Sequence, residues 1–105
     1  MKRGEIWFAD VGFGGDRPVL VLTRDPVADR IDAVVVAHVT TTIRGLSSEL
    51  RLGTHDGLKR ECVVSFDNLH TLPRSSFRRR VTALRPTRLD EASDRLADAL
   101  GCGAR

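Results

Sequence analysis

Arg17 is the residue of this chain best mounted for chemistry. It lies in GGDRPVLVLTR, residues 14 to 24, where a glycine-loosened loop runs straight into an apolar, β-branched stretch. Pro18 fixes the backbone just after it and Val19 to Leu22 read as a buried strand, so the guanidinium is expected at a rigid strand mouth. A planar cation held in this way suits bidentate recognition of a phosphate. The other phosphate-compatible groups are the hydroxyls of Thr40, Thr41 and Thr42, the imidazoles of His38 and His70, and the side chains of Asp67 and Asn68. Each has a plainer reading as well. A threonine closing a Val-rich strand is an ordinary β-former, Asp-Asn is a turn pair, and a strand histidine often satisfies a hydrogen bond of the core.

Absent motifs and composition narrow the chemistry. There is no P-loop, dinucleotide fingerprint, zinc-ligand cysteine pair or serine elbow. Histidines at 38, 55 and 70 lack metal-ligand spacing, so neither a metal nor another cofactor is expected. Cys62 reads as a small buried hydrophobe and Cys102 as an inert thiol near the end. The 105 residues suffice for one domain, 1–105, with a single core. No apolar run approaches the roughly 18 residues of a membrane span and no signal peptide is visible, so a cytoplasmic protein is expected. A formal charge of +3 favours anionic partners. The run Arg78, Arg79 and Arg80 reads equally well as a solvated face.

The elements that must position these residues follow from pattern. Glu5 to Ala9 alternates as a strand, 10 to 16 form a glycine-rich turn, and Val19 to Thr23 make a second strand. Pro26 to Arg30 read as one helical turn or a loop. Ala33 to Thr40 is the strongest strand; Val34, Val36, His38 and Thr40 share one face, which passes from apolar to polar as the strand runs out. Ser48 to Leu52 and Cys62 to Phe66 follow as strands. Asp67 and Asn68 are expected to interrupt before Leu69 to Leu72 resume, and Arg79 to Leu84 reads as the last strand. These six or seven short strands predict a small antiparallel barrel or highly curved sheet. After Pro86 the period changes to that of a helix, with Thr87 as N-cap, an apolar stripe of Leu89, Ala92, Leu96 and Ala99 or Leu100, and Gly101 as C-cap.

Four segments in order, KRGEIWFAD, GGDRPVLVLT, VVVAHVTTT and CVVSFDNLHTLP, followed by the amphipathic helix, resemble the successive motifs of the MazF/PemK/Kid family of toxin endoribonucleases. The resemblance spans Lys2 to Leu100. It implies a mainly β, SH3-like antiparallel barrel of the CcdB/PemK type with a C-terminal α-helix, acting as a homodimer. It also implies the toxin of a type II toxin–antitoxin system, inhibiting growth by metal-independent, sequence-selective cleavage of single-stranded RNA, whether message, transfer or ribosomal. The ribose 2′-hydroxyl would attack the adjacent phosphate, giving a 2′,3′-cyclic phosphate and a 5′-hydroxyl. A MazE-like antitoxin with an acidic, flexible segment would be the inhibitory partner.

By the same resemblance Arg17 and Thr40 bind the scissile phosphate and Asp67 is the leading candidate for general base. Asn68 and His70 stand at positions used near the substrate, His70 where relatives often carry arginine. Gly15 and Asp16 belong to the RNA-binding loop, with Thr41 sharing the role of Thr40. His38, on the face of Thr40, is expected to bind RNA or act as an auxiliary acid or base. Phe13, flanked by glycines beside Arg17, is placed to stack on a base, whereas Trp7 reads as core. The loop before Arg17 is shorter than in many members, a departure bearing on which RNA is cut. Two alternatives share the fold: a CcdB-like gyrase poison and a non-catalytic RNA-binding barrel.

Overall fold

The computed structural model describes residues 1–24 and 30–102, and the expected turn at Pro26 to Arg30 falls outside these but for Arg30. Six strands form one curled antiparallel sheet: β1 (Glu5–Asp10), β2 (Asp16–Val21), β3 (Ala33–Thr40), β4 (Glu49–Leu52), β5 (Cys62–Pro73) and β6 (Phe77–Ala83), in the order β4-β5-β3-β2-β1-β6. The helix α1 (Pro86–Leu100) follows and completes a half-barrel. Its N-cap is Arg85 and not Thr87, with Pro86 inside the first turn, where its missing N–H goes unused and its fixed φ already suits the helix. Gly101 ends the helix as expected, at φ 73°.

Both faces of the sheet are covered, by two separate clusters. On the helix side Ile6, Leu20, Ala37, Val39, Leu50, Leu52, Val64 and Phe66 meet Ala92, with Leu89, Leu96 and Ala99 packed against them. Leu100, the alternative for the last stripe position, is exposed. On the other face Ala9, Val19, Val21, Val34, Val36 and Leu72 are covered by Met1, Trp7 and Phe77. The alternation along β3 explains the division, because Val34 and Val36 point to one cluster and Ala37 and Val39 to the other.

Two strands differ from expectation in ways that matter for the site. β2 begins at Asp16, so Asp16 and Arg17 are paired to Asp10 and Ala9 instead of lying in a loop. Pro18 is tolerated there because β3 pairs with β2 only over Val19 to Val21, so its missing N–H breaks no ladder bond on that side. β5 is not interrupted at Asp67 and Asn68. Its register against β3 jumps from Ala37 opposite Leu69 to His38 opposite Ser65, so Phe66, Asp67 and Asn68 bulge out of the pairing while the strand continues.

Candidate active site

The bulge, the start of β2 and the end of β3 meet at one end of the sheet, around a cavity of about 800 Å³. Arg17, His38, Thr40, Thr41, Asn68, His70 and Phe13 all line it, although they come from three strands and two loops. Cross-strand pairing shows how. Val19 faces His38, Val36 faces His70, and Arg17 is two positions from Val19, so Arg17, His38, Thr40 and His70 stand on one face of the sheet. His38 and His70 are diagonal neighbours there, with ring centroids 4.4 Å apart. Phe13, at the tip of the loop, is 61 % exposed.

The electrostatics are one-sided. Among the described residues four cations line the cavity, Arg17, Lys59, Arg60 and Arg79, and no carboxylate does. Burial, followed by the neighbouring charges of His70 and Arg17, holds the His38 imidazole below the ordinary histidine value. His38 is therefore neutral at pH 7, and its buried Nε2 has no hydrogen-bond partner among the described residues. Thr40 Oγ1 accepts from the Thr42 backbone N–H at 3.1 Å, which leaves the hydroxyl hydrogen free to point elsewhere. Gly14 is the close neighbour of Arg17: an added Cβ would collide with the guanidinium, whose Nε would lie 3.1 Å away.

The expected residues do not all gather. Asp67 does not line the cavity; its carboxylate accepts a hydrogen bond from the Ser48 hydroxyl on the β4 side of the bulge. At the bulge Phe66 enters the core and Asn68 lines the cavity, while Asp67 does neither. Gly15 and Asp16 also lie outside the lining, and Asp16 is 3.7 Å from Arg78 in an exposed ion pair that Arg78 shares with Asp10. Trp7 packs with the covered cluster as expected, its indole N–H donating to Glu5.

Sequence reasoning missed the far wall. Phe8, Leu58, Lys59, Arg60, Cys62, Arg79 and Val81 complete the cavity, and Arg79 lies over the Phe8 ring at 4.8 Å. The basic pair Lys59-Arg60 beside Gly57 was the available signal. Its loop is set by Arg88 of α1, which donates to Asp56 at 3.0 Å and to the Arg51 carbonyl. Another unanticipated anchor is Glu49, a buried carboxylate that accepts the backbone N–H groups of Arg44, Gly45 and Leu46 and so closes the β3–β4 loop.

Among the described residues no three His, Cys, Asp or Glu side chains come together as metal ligands. No helix among them is long and apolar enough to cross a membrane.

Comparison with known proteins agrees with the geometry. Residues 2–100 match the family model described as the PemK-like, MazF-like toxin of type II toxin–antitoxin systems. The chain is 61 % identical over 103 residues to "Probable endoribonuclease MazF2" of Mycobacterium tuberculosis, covering 97 % of this chain and 100 % of that one. Its structure resembles the M. tuberculosis toxin MazF-mt6 with a TM-score of 0.85 at 33 % identity, covering 92 % of this chain and 96 % of that chain. It also resembles a mycobacterial endoribonuclease solved in complex with its cognate antitoxin, with a TM-score of 0.89 at 26 % identity, covering 100 % and 99 %. With the curled sheet, the C-terminal helix and the cationic cavity in place, the chain belongs to the PemK-like, MazF-like family of type II toxins and is an endoribonuclease of that family.

Proposed function

We propose that this endoribonuclease cuts single-stranded RNA by attack of the ribose 2′-hydroxyl on the adjacent phosphate, without a metal, in the cytoplasm. The observation that carries the reading is the convergence of Arg17, Thr40 and two imidazoles in a cavity with no carboxylate among its described lining residues. In this route the 2′-oxygen loses its proton, the P–O5′ bond breaks as the P–O2′ bond forms, and the departing O5′ takes up a proton. Arg17 binds the non-bridging oxygens and Thr40 donates its hydroxyl to the same phosphate, both stabilising charge that builds up in the phosphorane. An arginine stays protonated and is a poor proton donor. The proton carriers are therefore drawn from the cavity's imidazoles: His70 is assigned the transfer and neutral His38 the stacked support beneath it.

Asp67 is assigned to fixing the bulge, since its carboxylate is engaged by Ser48 outside the cavity. Asn68 faces the cavity and suits a base edge, and Phe13 suits a stacked base. The chain acts as a homodimer and is held inactive by a MazE-like antitoxin, a partner whose acidic segment would complement the four cavity cations. The relative solved with its cognate antitoxin supports that pairing.

The test is incubation of the purified protein with total RNA in EDTA, followed by sequencing of the 5′-hydroxyl ends. A defined set of cut sites is expected, lost in Arg17→Ala. Uncut RNA, with the protein bound to it or to gyrase instead, would overturn the reading in favour of one of the non-nuclease alternatives.

A further inference from the structure

The cavity turns around the sheet. Phe8 pairs with Pro18 on one side and Arg79 on the other, so these three stand on the helix-side face, opposite the face that carries Arg17, His38 and Thr40. The same cavity reaches both. Its helix-side part has an apolar floor of Phe8, Leu58 and Val81, and a rim of three cations, Lys59, Arg60 and Arg79. The proposed reaction uses none of these six residues.

We infer that this helix-side compartment is a nucleotide subsite, taking the base and phosphate of a nucleotide that flanks the cut. The inference rests on the reading of the chain as an RNA-cutting enzyme, and it identifies where the substrate continues past the scissile phosphate. Three observations favour a nucleotide. The floor offers a ring face, and a guanidinium is already stacked on it at 4.8 Å, which is the environment in which a nucleobase is held by stacking and cation–π contact. The rim side chains Lys59, Arg60 and Arg79 are all cationic and no carboxylate stands among the described lining residues, so a phosphate is attracted there. The compartment is also continuous with the site of Arg17, so a chain whose phosphate lies there can extend into it without leaving the protein.

The loop bearing two of the cations is held in place. The Arg88 guanidinium donates to Asp56 and to Glu91, at 3.0 and 2.7 Å, while Asp56 in turn accepts the Gly53 N–H. Gly57, at φ 88°, then turns the chain into Leu58 and Lys59, and an added Cβ there would strike Thr82 of β6. Lys59 and Arg60 are thus presented by a braced loop.

The experiment compares kcat/KM on an RNA just long enough to be cut with that on the same RNA extended by several nucleotides on either side. The parent protein is expected to favour extended RNA. Phe8→Leu keeps an apolar floor but removes the ring, and should reduce that preference about 5- to 150-fold, the range spanned by loss of one base stack. Lys59→Ala and Arg60→Ala should each lower the magnitude of the salt slope of RNA binding by about 0.7 per lost phosphate contact on a single strand. Arg95→Ala, on α1 outside the cavity lining, is the charge-matched control and should leave the slope unchanged. Far-ultraviolet circular dichroism confirms that each variant is folded. If folded variants keep the parent's length preference and slope while Arg17→Ala abolishes cutting, the subsite is wrong and the endoribonuclease reading stands. If they instead weaken only binding of an acidic peptide, the compartment belongs to a protein partner and the inference is overturned. Absence of any RNA cleavage by the parent would refute the underlying reading itself.

Discussion

Gly14 is the position where backbone conformation and chemistry are most tightly joined. It has φ 70°, a left-handed conformation that costs an L-residue about 1–2 kcal/mol, and it packs directly against the Arg17 guanidinium. Gly14→Ala therefore carries two separable penalties. The backbone term lowers stability by about 1 kcal/mol, or about 4–8 °C in Tm for a domain of this size. The second term is displacement of Arg17, because a guanidinium end yields more easily than backbone. A charge-assisted hydrogen bond to the scissile phosphate is worth about 1.5–3 kcal/mol, so its loss should reduce kcat/KM by about 10- to 150-fold. Gly45 supplies the control: its φ is 75°, and an added Cβ would meet nothing within 4 Å, so Gly45→Ala should lose similar stability and retain cleavage. The assay is cleavage of a fluorogenic RNA well below the Tm, joined to RNA affinity measured as a double-mutant cycle with Arg17→Ala. In the Arg17→Ala background Gly14→Ala should have no further effect on RNA affinity. A Gly14→Ala protein with reduced Tm and parental kcat/KM would refute the claim that Gly14 leaves room for Arg17.

Three further outcomes follow from the geometry. His38 has a depressed proton affinity, so well above about pH 6.5 the folded and unfolded chains bind the same proton complement at this site, and as pH falls through that value the unfolded state gains protons first and stability is lost. His38→Asn should flatten that loss between pH 6.5 and 5, measured by urea midpoints; an unchanged acid limb would show that His38 is not the group responsible. Asp56 and Arg88 form a hydrogen-bonded ion pair only 6 % and 19 % exposed, so Asp56→Asn should cost about 1.5–3 kcal/mol in urea unfolding. Burial raises the Asp56 pKa, but hydrogen bonds from Arg88 and Gly53 and the charges of Arg88 and Arg85 outweigh it and hold the carboxyl low. The stabilisation is present above the ordinary carboxylate range and fades as pH falls through the depressed value, a dependence the Asn variant should lack. Ser48→Ala and Asp67→Ala each remove one partner of a single hydrogen bond, so both should lose about 1 kcal/mol and reduce cleavage to a similar extent. Abolished cleavage in Asp67→Ala alone would make Asp67 the general base after all.

Local sequence determined much of this protein because the deciding interactions are local. The valine run of β3 has its residues alternating between two faces, and that alternation alone predicts a strand whose polar end carries His38 and Thr40 into a site. Glycine at the end of α1 stops the helix because only glycine adopts the left-handed cap cheaply, and that too is visible in the chain. Arg17 could be singled out because proline and β-branched neighbours stiffen its mounting.

What tertiary structure decided depends on pairing between distant segments. Asp67 and Asn68 look like a turn, yet pairing with β3 and β4 carries the strand through them as a bulge, and that bulge aims Asn68 into the cavity and Asp67 away from it. No period within residues 62 to 73 encodes which of the two points inward, because the register is set by the partner strands. His70 meets His38 only because β5 lies beside β3 in that register. The second wall is the extreme case. Phe8, the pair Lys59-Arg60 and Arg79 are far apart in the chain, and only the curl of the sheet, with Arg88 bracing one loop, gathers them around a single cavity beside Arg17.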